Sequence, residues 1–336
     1  MKKMFLALLT VLVLLTGCAG KPRTEKPWVY TDYNLFDTVT TILGYADSEE
    51  AFQEQAQAIC GELLQYHRLL DIYNEYDGLV NLKTVNDRAG REPVQVEPIL
   101  MEFLLDCREY YALSEGRVNV ALGSVLKLWH DARTLAAEHP EQARLPDRAA
   151  LETAALHCDP ENVILDPEAG TVFFADPELR LDVGAAAKGW SVQQVCSHAP
   201  EGFLISVGGN VYAPGPKPDG SPWIVGVQDP EGGQNYLAAP PLSRGSAVTS
   251  GDYQRFFTVD GKNYHHIIDP DTLAPGAFWR SVTVLCPDSG LADCLSTALF
   301  LMPREEGQAL LEKTGAEAMW VDASGTIYRS PGFPQS

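Results

Sequence analysis

The chain opens on a nearly unbroken apolar run, Phe5–Leu15, set behind Lys2 and Lys3 and ahead of Leu15-Thr16-Gly17-Cys18. Spanning a bilayer takes about 20 apolar residues, so this run is too short to do so comfortably. The order of basic residues, apolar run and a small residue before cysteine has the form of a lipobox. It predicts a lipoprotein signal peptide over residues 1–17, with lipidation of Cys18; the plainer alternative is a secretory signal with a chance cysteine. Residues 18–29 are polar and Pro-containing and read as a tether. The folded domain is expected over 30–330.

Within it the apolar period changes from helical to strand-like along the chain. Residues 30–45 are rich in β-branched and aromatic types and predict a strand. Glu49 to about Leu70 places Phe52, Ala56, Ile59 and Leu63 at helical spacing. Residues 71–92 are polar and turn-rich. Val96–Leu113 reads as a second helix, Gly116 to about Ala136 as a turn that becomes helical, and a further helix ends near His157. From Val163 short β-type runs alternate with Gly, Pro and Asp turns: 163–165, 172–174, 204–207, 223–227, 256–259, 281–285 and 319–321. Two helices interrupt them, Ala187–Ser197 and Ala292–Met302. The pattern is α+β, with a helix-rich N-terminal half and a strand-rich C-terminal half.

Charge narrows the partners. The chain carries a formal −20. Loss of residues 1–17 would remove Lys2 and Lys3 and no acid, giving −22. Such a chain repels nucleic acid, so no nucleic-acid partner is expected. An anionic ligand would need a local device: a metal ion, a helix N-terminus or a buried Lys. Beyond Cys18 stand Cys60, Cys107, Cys158, Cys196, Cys286 and Cys294. They form no CxxC pair and no zinc spacing, and several read as small core hydrophobes.

Four segments place small residues beside polar ones. In Leu181-Asp182-Val183-Gly184-Ala185-Ala186-Ala187-Lys188-Gly189-Trp190 a strand is expected to end at Val183, with a helix beginning among the small residues. The free N–H groups of such a start suit an anion, and Lys188 is its one strong cation; a tight structural turn reads equally well. Ser206-Val207-Gly208-Gly209-Asn210 suits close ligand approach or a plain hairpin. In Tyr264-His265-His266-Ile267-Ile268-Asp269 neighbouring strand residues face opposite ways, so the two histidines can hardly share one ion. One is expected to face a site, where Asp269 could assist it as a general base, or both are structural. In Leu291 to Ala298, Asp293 and Thr297 share a helical face and offer two hard oxygens suited to Mg²⁺, or else serve the helix itself.

Together these segments resemble the ApbE family of FAD:protein FMN transferases, from about Tyr33 to about Gly315. The family's DxGGxAKG-like segment is matched by Asp182–Gly189, and its GGN turn by Gly208-Gly209-Asn210. Its WxVGIxDP strand is matched by Trp223–Pro230, its TSGDYxRFF block by Thr249–Phe257, and its HIIDPxTxxP block by His266–Pro275. Ser281–Val284 and Ala292–Ala298 match the closing SVTV and ADxLSTA. Phe36-Asp37-Thr38 and the loop ending at Asn86 match N-terminal blocks. The G-x-F-D-x-T-x-G turn departs from the pattern, with Asn119 and Ala121 where Asp and Thr are usual.

The resemblance implies one compact ApbE-like domain that takes FAD as substrate. It implies contacts to FAD from Thr38, Asn86, Lys188, Gly208, Gly209, Asn210, Ser250, Gly251, Asp252 and Tyr253. Mg²⁺ would be held by Asp293, Thr297 and a backbone carbonyl near Ala187. His266, with Asp269, would activate a Thr or Ser hydroxyl of an acceptor flavoprotein for attack on the FMN phosphorus, releasing AMP. The expected place is extracytoplasmic, as a membrane-anchored lipoprotein. An FAD diphosphatase using water, or an FAD-binding lipoprotein without catalysis, are the alternatives.

Overall fold

The computed structural model describes residues 26–233 and 236–335. The signal segment 1–17, Cys18 and most of the expected tether lie outside the described residues. Strand β1 (Trp28–Leu35) begins inside the segment read as tether and is followed by β2 (Thr38–Gly44), α1 (Glu49–Leu69), α2 (Leu82–Asp87), α3 (Pro98–Leu113), α4 (Gly123–Glu138) and α5 (Arg148–Ala155). Next come β3 (Val163–Asp166), β4 (Thr171–Phe174), α6 (Ala187–Cys196), β5 (Phe203–Val207), β6 (Asn210–Ala213), β7 (Gly245–Gly251), β8 (Phe256–Val259) and β9 (Lys262–His265). The chain closes with β10 (Ser281–Cys286), α7 (Ser289–Phe300), α8 (Arg304–Thr314), β11 (Glu317–Val321) and β12 (Ile327–Arg329). Several two-residue ladders carry no label. The α+β class stands, with the helices concentrated in the N-terminal half.

The frame is an eight-stranded sheet in the order β1-β2-β5-β6-β7-β10-β11-β12. Every pair in it is antiparallel. Among these eight strands, each neighbour in space is the next in sequence, so the sheet is a meander with insertions. The helical half is inserted between β2 and β5, the β8–β9 hairpin between β7 and β10, and α7 with α8 between β10 and β11.

Local sequence explains the elements that position the site. Ser48 caps α1 by accepting the Ala51 N–H (3.2 Å), with Glu49 and Glu50 in the first turn and Arg68 in the last. These charges complement the helix dipole. Its buried stripe, Phe52, Ala56, Ile59 and Leu63, packs on Ile42, Phe203, Ile205 and Val207 of the sheet. Helices α6 and α7 are buried on nearly all sides rather than along one stripe, which marks them as core helices. Trp190 of α6 is 1% exposed, sits edge-on to Phe103 and Tyr66, and donates its indole N–H to Asp106 (2.6 Å).

The two core helices cross at Gly189. A Cβ there would overlap the Asp293 Cβ and the Ser289 carbonyl oxygen, so no larger residue fits without parting them. All six described cysteines are free and buried, as expected of small core residues; burial pushes the Cys60 thiol up to about 12.

Some expectations are corrected. The run 30–45 is a hairpin rather than one strand, because Phe36 and Asp37 both adopt φ of 52° and turn the chain. The polar stretch 71–92 holds α2, nucleated by a capping box between Asn81 and Thr84. The strand expected to end at Val183 is reduced to an isolated bridge between Arg180 and Leu122. The run 223–227 divides into two short ladders. Helix α7 starts at Ser289, where Asp288 accepts the Leu291 N–H (2.7 Å). Strands β6 and β7 and helix α8 add to the expected elements.

Gly189→Ala should destabilise the protein by about 1–3 kcal/mol, the usual cost of forcing volume into a packed core. Urea denaturation followed by tryptophan fluorescence measures this. An unchanged midpoint would mean that the crossing can open.

Candidate active site

The segment leading into α6 is held by backbone and amide bonds. Asn86 brackets Leu181, donating from Nδ2 to its carbonyl (3.0 Å) and accepting its N–H on Oδ1 (2.8 Å). Its amide is therefore committed to fixing this backbone. Asp182 accepts the Gly184 N–H on Oδ1 (3.0 Å), and its own N–H donates to Val120 O. Helix α6 then starts at Ala187 with no side-chain cap from Ala186; the Ala187 N–H donates to Val183 O (2.8 Å), and among the described residues no hydrogen bond engages the Lys188 N–H that follows.

One of those N–H groups meets α7. Gly189 donates to Asp293 Oδ2 (2.8 Å), and Lys188 Nζ stands 3.3 Å from the same oxygen and 3.5 Å from Oδ1. Asp293 is 4% exposed, so its charge is held by this N–H and this ammonium. Thr297 lies one turn further along α7, half-buried. A mid-helix Thr commonly bonds back to its own helix, yet no hydrogen bond engages the Thr297 hydroxyl among the described residues. The Ala187 carbonyl accepts the Ser191 hydroxyl (2.7 Å). Asp293 thus meets α6 at Gly189, two residues after Ala187, and Thr297 follows it on α7 one turn later, so the three expected metal ligands lie on the two helices that cross here. Among the described residues no group of three or more His, Cys, Asp or Glu could hold a metal ion.

Around the crossing the remaining expected residues separate into liners and braces. Ser250 bonds Ser296 (2.7 Å), whose hydroxyl reaches the Asp293 carbonyl (2.9 Å), tying β7 to α7. Asn210 is 1% exposed and accepts from Ser289 on Oδ1 (2.8 Å), while its Nδ2 is buried without a partner. Gly208 and Gly209 form a two-residue hairpin turn with φ of 56° and 88°, and a Cβ on Gly208 would run into Thr38. Gly209 faces Gln254 and the Thr249 carbonyl. Tyr253 folds over Gly251. Asp252 is paired with Arg280 (3.3 Å), which also reaches Glu231 and the Pro230 carbonyl.

The two histidines have separate surroundings, though not by strand alternation, because the strand ends at His265. His265 ends β9 with its ring edge-on to Phe300. Its Nε2 lies 2.9 Å from Gly276 O, and its Nδ1 accepts the Ile267 N–H (3.3 Å). Both nitrogens are committed. His266 has left the strand, and its Nδ1 donates to Arg255 O (3.2 Å), so the neutral ring carries its lone pair on Nε2. Burial, then the Arg255 and Arg133 guanidiniums, pull the His266 pKa down to about 3. Asp269 does not assist either ring. Its Oδ1 accepts from Asp271 N (2.8 Å) and Thr272 N (3.2 Å), and Arg117 lies 3.8 Å away, which makes it the anchor of that turn.

Sequence reasoning missed the other groups that influence His266. Arg133 approaches His130 Nδ1 (3.1 Å), and His130 stacks on Tyr73 at 5.3 Å. Arg255 donates to Asp37 O (3.0 Å), on the turn next to Thr38. Burial raises the Asp182 carboxyl, against the pull of His130, Arg133 and Arg255. The i, i+3 spacing of His130 and Arg133 on α4 was the available signal for that pair.

The family model described as the ApbE family matches residues 36–320. The chain belongs to the ApbE family. It is 32% identical to the FAD:protein FMN transferase of Treponema pallidum, over 97% of this chain and 92% of that one. It is 30% identical to a Klebsiella pneumoniae protein of the same name, over 78% and 84%. Among solved structures, the ApbE protein of Thermotoga maritima superposes with a TM-score of 0.81 at 28% identity, covering 91% of this chain and 97% of that one. The flavin transferase ApbE of Vibrio cholerae gives 0.75 at 25%, covering 93% and 99%. This ApbE chain thus has its relatives' fold along nearly its whole described length.

The histidine environment yields a pH dependence. The unfolded imidazole binds its proton near pH 6.5 and the folded one only near pH 3. Between those values the unfolded state holds more protons, so stability falls as pH drops through that window. His266→Gln should flatten the fall in melting temperature across it. An unchanged slope would show that the imidazole does not sit buried against the two guanidiniums.

Proposed function

We propose that this chain moves FMN from FAD onto a Thr or Ser hydroxyl of an acceptor flavoprotein and releases AMP, with Mg²⁺ bound at Asp293, Thr297 and the Ala187 carbonyl. Membership of a family whose relatives carry the name FAD:protein FMN transferase supports the transfer. The observation that carries the reading is Asp293. A carboxylate held at an uncapped helix start, neutralised by Lys188 and one helical turn from an unengaged hydroxyl, fits a hard divalent cation that keeps several waters. Bound there, the ion would offset pyrophosphate charge and stabilise the leaving AMP.

The chain's own groups supply the rest. Lys188, through its ammonium and its backbone N–H at the start of α6, offers charge and a hydrogen bond to the pyrophosphate. The Gly208-Gly209 turn leaves room for the flavin nucleotide to approach the backbone. Nε2 of His266 takes the proton of the acceptor hydroxyl as that oxygen bonds to the FMN phosphorus. The bond from that phosphorus to the bridging oxygen breaks, and AMP leaves with the oxygen. The low basicity of His266 is set partly by two guanidiniums. A bound polyanion opposes their field and brings the imidazole closer to a working base. The proposal includes lipidation at Cys18, which would hold the enzyme at the outer side of a membrane.

FMN transfer to a flavin acceptor domain, read by in-gel fluorescence with AMP quantified in parallel, tests the reaction; AMP without a labelled acceptor would indicate a diphosphatase. Asp293→Ala should raise the Mg²⁺ requirement of transfer by at least about tenfold, with Thr297→Ala milder. If both variants melt at lower temperature but keep the wild-type Mg²⁺ curve, the metal assignment is wrong. His266→Ala should retain FAD and lose transfer by about 10²–10⁴-fold, whereas His265→Ala should act through stability. Mass spectrometry of membrane-extracted protein should find an N-terminal diacylglyceryl Cys18, and an intact Met1 would refute the anchor.

A further inference from the structure

An open groove runs between α4 and the outer edge of β8. Two adjoining hollows of about 400 and 280 Å³ make it up, the first beside Arg133, Gln254, Arg255 and Phe256, the second reaching Pro140 and Thr258. Three observations bear on what it holds.

The first is a free strand edge. Strand β8 pairs only with β9, in a two-stranded sheet. The hairpin turns at Asp260 and Gly261, with φ of 50° and 76°, and is flanked by the pair Val259↔Lys262. In a two-residue hairpin the flanking pair exchanges hydrogen bonds and the pattern alternates from there. Val259 and Phe257 therefore bond to β9, and the N–H and C=O of Thr258 and Phe256 point outward. Both residues line the groove. Among the described residues no hydrogen bond engages those outward groups.

The second is charge. Neither Arg133 nor Arg255 has a carboxylate within ion-pair distance among the described residues. Arg133 meets the His130 ring, and Arg255 a backbone carbonyl. Burial and the field of Arg255 lower the Arg133 pKa, with Asp182 as the opposing charge beyond ion-pair distance, and Glu138 also lines the first hollow. In a chain of net charge −20 such a pair is a local exception.

The third is position. The same Arg255 that lines the groove holds His266 through its carbonyl oxygen. The groove thus shares Arg255 with the imidazole that the transfer reading treats as the base.

We infer that this groove seats an extended, acidic segment of the acceptor protein as an added strand on β8, its carboxylate between Arg133 and Arg255 and its Thr or Ser beside His266. The inference rests on the transferase reading. Alternating outward N–H and C=O groups match the repeat of a polypeptide and not that of a dinucleotide. The FAD pyrophosphate has its own partners at Lys188 and the start of α6. Without the two guanidiniums, an acidic acceptor would be repelled by this acidic chain.

The test uses the full-length protein with Mg²⁺, FAD and dye-labelled decapeptides. Each peptide has one central Thr and an Asp walked through the flanking positions; matched sets carry Lys for Asp, or N-methyl groups at alternate residues. Binding is read by anisotropy, flavin attachment by mass spectrometry, and FAD affinity by flavin fluorescence quenching. Acidic peptides should bind, and Arg133→Glu should weaken them roughly ten- to a hundredfold, the scale of a charge-assisted hydrogen bond. FAD affinity should fall far less than peptide affinity, because the pyrophosphate has its own cation in Lys188. The Lys peptides should bind Arg133→Glu better than wild type, and N-methylation should abolish binding in one register of the alternation only. Transfer that proceeds equally well in Arg133→Glu, a loss of FAD affinity in that variant as large as the loss of peptide affinity, or no binding by any peptide would each overturn the docking site. Acidic peptides that bind in the charge-dependent manner but never acquire flavin would instead leave the docking site standing and remove the transferase reading.

Discussion

The short bond between the Gly189 N–H and the Asp293 carboxylate sets the geometry on which the rest of the site depends. It can form only because Gly189 lacks a side chain where α6 and α7 cross. The crossing fixes where α6 begins, and hence where Lys188 and its backbone N–H lie. It also fixes the face on which Thr297 follows one turn later. A buried carboxylate in the core is costly unless its charge is met. Here one N–H and one ammonium meet it from a single turn of the neighbouring helix. Stability and function therefore draw on the same few atoms.

The surrounding sheet makes that crossing rigid. Ser250 and Ser296 bind β7 to α7, and Ser289 and Asn210 bind the start of α7 to β6. These contacts are short polar bridges between buried elements, where a hydroxyl or amide replaces an apolar contact at little change in volume. Asn210 keeps one buried amide N–H unpaired beside Gly189. A buried unpaired donor of this kind costs stability and is available to an incoming acceptor.

What the sequence revealed depended on how locally each feature is encoded. The α+β order was legible from period alone, and so was the pairing of Asp293 with Thr297, because one helical turn brings both to a single face. The separation of His265 from His266 was expected from strand alternation, but it arises because the strand ends between them. The roles of Asn86 and Asp269 did not follow, because both side chains are spent on backbone groups that only the tertiary fold or a turn brings to them. Tyr73, His130, Arg133 and Arg255 meet from three separate elements, and no window of sequence holds them together. The hairpin at Phe36 and Asp37 was hidden because it turns without glycine. Helix α8 carried its signals openly, with Pro303 before it, acids in its first turn and Gly315 at φ 70° after it. Its mostly polar surface gave little apolar period to read.

The meander has a consequence for the order in which the protein assembles. Six strands, β5 to β12 without the β8–β9 hairpin, follow one another closely in sequence and can pair as they emerge during synthesis. The first hairpin cannot join them early. Gly44 of β2 pairs with Phe203 of β5, so the whole helical half of the chain must be made before that ladder can begin. An isolated two-stranded hairpin is marginally stable in water, and closing so long a loop has an entropic cost that local pairing does not. The strands made first are therefore among the last to be fixed, and the turn at Asp37 and Thr38, which closes one end of the site against Arg255 and Gly208, arrives with them.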